Sequence, residues 1–298
     1  MNFFEFLKKF PTEEAVITNF IRVRYGERPA CHHCGSIKVH QKKDRPKVFH
    51  CADCLNTFSV FKGTIFENSS TDLRKWMYAI HLFLNSKKGI SSYQLEREIG
   101  VTHKTAWRML GQIRSAMGNA ENQEFIDTVI EIDETYVGGN PRKGQDDDDD
   151  KPKRGRGTKK TPVVGVVDRD NKKIHAKIAK PNKEGKKLTG KQLLEIINEV
   201  VKNPCLMITD EFKGYNSLRH SQHLHLRINH QEAFAQGIVH TNNIESFWAT
   251  LKRGLIGIYH HVSVKHLQDY VNEFCFRYNH RENNGMFDLV LKQAVFCS

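Results

Sequence analysis

Apolar positions change period along this chain, and each change marks an element. Thr128-Val-Ile-Glu-Ile132 and Leu206-Met-Ile-Thr209 are short, mostly apolar or β-branched runs, stopped by Asp133 and Asp210. Both read as buried strands with a carboxylate at the tip. Pro162-Val-Val-Gly-Val-Val-Asp168 is a third run of this kind, and Lys173–Ala179 alternates as a strand does. With the Asp133 strand these two form a three-stranded meander. A helix over about 189–201, the strand ending at Asp210 and a strand over 223–228 come next. The helix Thr241–Arg253 then carries Glu245 and Lys252, seven residues apart and so on one face. Upstream, a helix capped by Thr12 runs to about Tyr25. Ser91–Gly100 is a short helix with a Ser91/Gln94 capping box and a glycine stop. Thr102–Met117 follows, with Ala106, Leu110, Ile113 and Met117 as its apolar stripe.

Three strands, a helix, a strand and later helices is the order of a ribonuclease-H-like α/β core. In that fold the central strands set carboxylates side by side and a later helix adds a third. The domain plan is therefore an N-terminal helix and ribbon (1–62), a helical segment (63–120) and an α/β domain (125–298) with a loop at 140–161. Two helices joined tightly at Gly100-Val101 predict a helix-turn-helix, with an ordinary helical hairpin as the alternative. In the first reading His103, Lys104, Thr105 and Arg108 meet DNA. Trp76 and Trp107 read as packing residues. Asp146–Asp150 and the basic stretch Lys151–Lys160 read as solvated loop, the basic half being suited to phosphate.

Composition narrows the partners. The 298 residues carry 46 basic and 34 acidic side chains, net +12. A surface of that sign attracts polyanions. No apolar stretch approaches the ~20 residues of a membrane span, and the first residues do not form a secretory signal. Seven cysteines, an odd number, argue for a reducing compartment. Cys31-His-His-Cys34 and Cys51-Ala-Asp-Cys54 are two identical knuckles 16 residues apart. That is the spacing of a four-cysteine zinc ribbon holding one structural Zn²⁺, with His33 or His50 as the alternative to one thiolate. Cys205, Cys275 and Cys297 sit in apolar surroundings and read as core.

Asp133, Asp210 and Glu245 can together hold two divalent cations, Mg²⁺ or Mn²⁺, while Lys252 holds a phosphate. This is equipment for in-line attack on a phosphodiester. Glu134 and Glu211 alternate with these aspartates and are expected to point away from them.

The chain also resembles a known family, the zinc-ribbon DDE transposases of insertion sequences (the ISXO-like group). The resemblance runs through the ribbon, Gly63-Thr-Ile-Phe66, Leu73-Arg-Lys-Trp76, Ile90–Leu95 and Thr105-Ala-Trp-Arg108. It continues through Ile132-Asp-Glu-Thr-Tyr-Val-Gly-Gly139, Thr209-Asp-Glu211, His240-Thr-Asn-Asn-Ile-Glu245, Glu273–Arg277 and Asn279. It implies a metal triad of Asp133, Asp210 and Glu245 with Lys252 as the associated phosphate contact. The 34 residues between Asp210 and Glu245 suit that arrangement. Parts of the family place an asparagine third, and Asn242 stands one turn before Glu245. An anion offsets two dications better, so Glu245 is expected to ligate, while Asn242 supports the site or touches DNA and Arg253 touches DNA. The implied activity cuts element ends and joins the 3′-hydroxyl to target DNA. The opposing readings are a domesticated, inactive DNA-binding regulator and a metal-dependent nuclease of the same fold. Implied partners are double-stranded DNA, as element ends and target, and further copies of the chain. The expected location is the cytoplasm of a bacterium, in association with the nucleoid, or the nucleus if the host has one.

Overall fold

The computed structural model describes residues 1–26, 28–119, 129–138, 160–179, 188–228 and 240–296. The acidic and basic runs at 146–159 and Cys297 lie outside the described residues. The chain divides into two compact units, residues 1–120 with 282–298, and residues 121–281.

The first unit begins with helices α1 (Phe3–Lys9) and α2 (Glu13–Tyr25). Thr12 caps α2 by accepting from the Ala15 amide at 3.2 Å. A small antiparallel sheet follows, β1 (Val39–Gln41), β2 (Val48–Cys51) and β3 (Thr57–Ser59), in the order β1-β2-β3. Helices α3 (Leu73–Asn85), α4 (Ser92–Ile99) and α5 (His103–Asn119) complete the main run. Gly100 ends α4 in the left-handed region at φ +59°, a conformation that glycine adopts without a Cβ penalty, and α5 starts three residues later. Leu95, Ala106 and Leu110 are buried between the two helices and their neighbours.

The last helix, α9 (Met286–Phe296), belongs to this first unit and packs on α2, α3 and α5. Its buried face is Phe287, Val290, Leu291, Ala294 and Val295. The sequence plan kept this segment with the α/β domain. An apolar stripe shows that a helix has a buried face, but not which core receives it.

The second unit is built on a five-stranded sheet of β4 (Val129–Val137), β5 (Thr161–Asp168), β6 (Lys173–Ile178), β7 (Leu206–Thr209) and β8 (Leu224–Arg227), in the order β6-β5-β4-β7-β8. The first three strands are antiparallel, and β7 and β8 run parallel to β4. Helix α6 (Gly190–Val200) covers one face, with Ile130, Ile132, Val164 and Val166 turned toward it. Helices α7 (Asn242–Gly254) and α8 (Val264–Asn279) cover the other, over Val163, Val167, Ile174 and Ala176. A meander, a crossover helix, two parallel strands and helices on both faces make this the ribonuclease-H-like fold that the order of elements predicts.

Candidate active site

The parallel strand β7 is short and pairs with β4 only from Val129 to Ile132. Asp133 is the next residue of β4, and Asp210 is the first beyond β7. Asp133 is therefore not at the tip of its own strand, as the run of residues implied. β4 continues to Val137, paired with β5. What ends at Asp133 is its neighbour, and the gap beyond β7 is where the two aspartates converge.

Asp133, Glu134 and Asp210 each offer a carboxylate oxygen, and these oxygens lie within 4.8 Å of one another. Glu134 thus departs from expectation. Alternation does turn it toward the α6 face, where the Tyr215 hydroxyl donates to its Oε2 at 2.9 Å. At the margin where β7 stops, the longer glutamate side chain still reaches Asp210. Glu211, in contrast, is exposed. Burial, and after it the charges of Glu134, Asp210 and Glu245, push the Asp133 carboxyl up to about 8. Carboxylates forced together need a countercharge, and an all-oxygen donor set suits a hard divalent cation.

Helix α7 is fixed onto this margin at several points. Asp133 pairs with Gly165 of β5 across the ladder. A Cβ at Gly165 would lie 2.7 Å from the Trp248 ring and 3.0 Å from Ile244, so glycine is what lets α7 approach the sheet. Trp248 then donates its indole N–H to Asp133 Oδ2 at 3.1 Å. At the start of α7, Glu131 of β4 is fully buried and accepts from the Asn243 and Ile244 amides, each at 3.0 Å. The Arg169 guanidinium sits against the same carboxylate at 2.6 Å. Glu245 and Lys252 are both exposed, and Thr241 donates to Glu245 Oε1 at 2.9 Å. Asn242 and Arg253 are exposed on the same helix.

Sequence reasoning missed Glu131, Trp248 and Gly165. The signal for Glu131 was present: a charged residue inside an otherwise apolar strand, two positions before Asp133 and so on its face.

In the first unit the four cysteine sulfurs Cys31, Cys34, Cys51 and Cys54 lie within 4.8 Å of one another. Cys31 to Cys54 and Cys34 to Cys51 are each 3.6 Å. Tetrahedral Zn–S bonds of about 2.3 Å set sulfurs about 3.8 Å apart, so the cluster fits a zinc ion with four thiolates. Neither His33 nor His50 belongs to this cluster.

On α5, Lys104 is exposed. His103 stacks on Tyr93 at 4.1 Å and meets the Ser92 hydroxyl at 2.8 Å. Thr105 meets the Thr102 hydroxyl at 3.0 Å, and Arg108 donates to the Glu67 carbonyl at 3.2 Å. Trp76 is fully buried, but Trp107 is 47% exposed, contrary to its reading as a packing residue. Its place on α5 faces outward, next to Ala106 on the buried stripe. Among the described residues no helix is long and apolar enough to cross a membrane.

Residues 126–279 match the ISXO2-like transposase domain, and residues 11–57 match a transposase zinc-ribbon domain. A protein of transposable element ISH50 from Halobacterium salinarum is 26% identical over 288 residues, covering 91% of this chain and 92% of that protein. A transposase-like protein of Haemophilus influenzae is 36% identical over 103 residues, covering 35% of this chain and 82% of that one. Among solved structures, the Mos1 strand transfer complex matches at 12% identity and a TM-score of 0.32, over 69% of this chain and 74% of that chain. With a ribbon ahead of a ribonuclease-H-like sheet, and the transposase domain matched across that sheet, the chain belongs to the ISXO2-like transposase family.

Proposed function

We propose that the protein is a DNA transposase that cuts insertion-element ends and joins the 3′-hydroxyl to target DNA at the site formed by Asp133, Asp210 and Glu245. The observation that carries this reading is the convergence of Asp133, Glu134 and Asp210 where β7 stops beside β4, with Glu245 on α7 near enough for its charge to help raise the Asp133 carboxyl, in a chain of this family. Two Mg²⁺ or Mn²⁺ ions held there would supply Lewis-acid activation of the attacking oxygen and offset charge at phosphorus.

The chain's own residues do the rest. Trp248 orients Asp133, and Thr241 orients Glu245. Lys252, two turns along α7 from Glu245, contacts a phosphate oxygen, and Asn242 and Arg253 flank it along the DNA. Water and the 3′-hydroxyl serve in turn as nucleophiles, so no covalent protein intermediate forms. The ribbon, with one structural Zn²⁺, and the α4–α5 pair bind the element ends, Lys104 and Trp107 being the outward side chains. Two ends must be cut and joined together, so the working form on double-stranded DNA is a homo-oligomer.

The test is a strand-transfer assay with purified protein, Mg²⁺ or Mn²⁺, labelled element-end DNA and a supercoiled target, run beside Glu245→Gln. Joined product from the wild type alone establishes the reading. Cleavage without joining makes the protein a nuclease, and end binding with neither reaction makes it a DNA-binding regulator.

A further inference from the structure

We infer that Glu131 is a positioning residue, its buried carboxylate docking the start of α7 onto β4 and so setting Glu245 against Asp133. The inference rests on the cation-binding reading above and deepens it.

Helix α7 has no cap of its own. Thr241 stands at the cap position, but its hydroxyl donates to Glu245 and accepts from none of the first-turn amides. The acceptor comes from the sheet. Glu131 Oε2 takes the Asn243 and Ile244 amides at 3.0 Å each, and Oε1 takes Asn243 Nδ2 at 2.7 Å. A full negative charge at a helix N-terminus is favourable to the helix. Buried and unpaired it would be costly, and Arg169 removes that cost at 2.6 Å while also binding the His240 carbonyl, just before the helix.

The consequence is geometric. Glu131 and Asp133 are two residues apart on one strand and face the same helix. Asn243 and Ile244 are tied to the first, and Trp248 is tied to the second at 3.1 Å. Glu245 lies between these attachments. Its place relative to Asp133 is therefore set by a closed loop of hydrogen bonds and not by apolar packing alone, which leaves a helix free to slide or rotate by a fraction of a turn.

Glu131→Gln is the direct test. The amide keeps the shape but replaces one acceptor with a donor, which then faces donors already in place. Manganese binding is measured by calorimetry for wild type, Glu131→Gln, Glu245→Gln and the double variant, with thermal melting as the control for folding. The expected result is a tenfold or greater loss of Mn²⁺ affinity in Glu131→Gln, and a double variant that binds no more weakly than Glu245→Gln alone, because the first change acts through the second residue. Wild-type affinity in a folded Glu131→Gln, or losses that simply add, overturns the inference and leaves the transposase reading intact. Should Glu131→Gln not fold, Glu131→Asp decides. It keeps the charge but draws it back by one methylene from the Asn243 and Ile244 amides, and a folded variant with unchanged Mn²⁺ affinity overturns the inference. A wild type that binds no Mn²⁺ overturns the cation reading, and this inference with it.

Discussion

The indole N–H of Trp248 donates to Asp133 at 3.1 Å from a ring lying over Gly165, the residue that faces Asp133 on the next strand. One missing side chain thus makes room for the donor that orients a carboxylate. Trp248→Phe keeps most of the packing and loses the donor. Below about pH 8 and without metal the Asp133 carboxyl is neutral, and a hydrogen bond to it is worth about 1 kcal/mol, so urea unfolding should show a loss of that order, with strand transfer falling at least tenfold. Gly165→Ala attacks the same contact from the other side and should cost about 1–3 kcal/mol through overpacking. If Gly165→Ala loses activity while Trp248→Phe keeps it, the hydrogen bond is not what matters.

The crowded carboxylates should make stability depend on pH when no magnesium is present. Asp133 has its carboxyl raised from an ordinary 3.8 to about 8 in the folded protein, by burial first and then by Glu134 and Asp210. A group held up in this way favours the folded state at low pH. That advantage is lost as pH climbs through the window between the two values. In magnesium-free buffer, with zinc retained in the ribbon, the wild type should melt at falling temperature from pH 6 to pH 8. Asp133→Asn should lack that fall, and adding Mg²⁺ should restore the wild type at pH 8. Parallel melting curves for the two proteins would refute this assignment of the charge.

Much of this arrangement was legible from residues alone, and the exceptions share a cause. The strands of the meander, the Thr12 cap, the ribbon spacing and the Glu245 helix all follow from local pattern. Asp133 looked like a strand tip because an apolar run stopped there. The strand continues because β5 pairs with it through Val137, a non-local fact. Glu134 does alternate to the α6 face, but alternation does not show that β7 stops beside it, which lets its long side chain reach Asp210. Glu131 was hidden in plain view, since a buried charge declares itself only when its partners, Arg169 and the α7 amides, are known.

On the first unit, the outward face of α5 should carry DNA affinity without carrying the fold. Lys104 is exposed, and Trp107 exposes 47% of its surface, whereas Arg108 is engaged with the Glu67 carbonyl. Lys104→Ala should weaken binding to element-end and unrelated duplexes alike, and lower the salt dependence by about one phosphate. Trp107→Ala should weaken element-end binding with little change in melting temperature. Fluorescence anisotropy at several salt concentrations separates the two effects. Unchanged affinity in both variants would move DNA recognition to another surface.

Helix α9 offers a test of how the first unit holds together. Its five buried side chains, from Phe287 to Val295, are received by α2, α3 and α5, and the Ile65 amide donates to the Ala294 carbonyl at 3.1 Å. Lys9 also reaches Asp288 at 2.7 Å, but that ion pair is largely solvated and worth less than about 1 kcal/mol. The apolar face therefore dominates. Replacing Leu291 by alanine should cost about 2–5 kcal/mol, while Asp288→Asn should cost almost nothing. Because these partners belong to the unit with the ribbon and the α4–α5 pair, the Leu291 change should abolish element-end binding at a temperature where Asp288→Asn binds normally. Mn²⁺ affinity at the sheet should survive it. Loss of Mn²⁺ binding with retained DNA binding would reverse the allocation of α9 to the first unit.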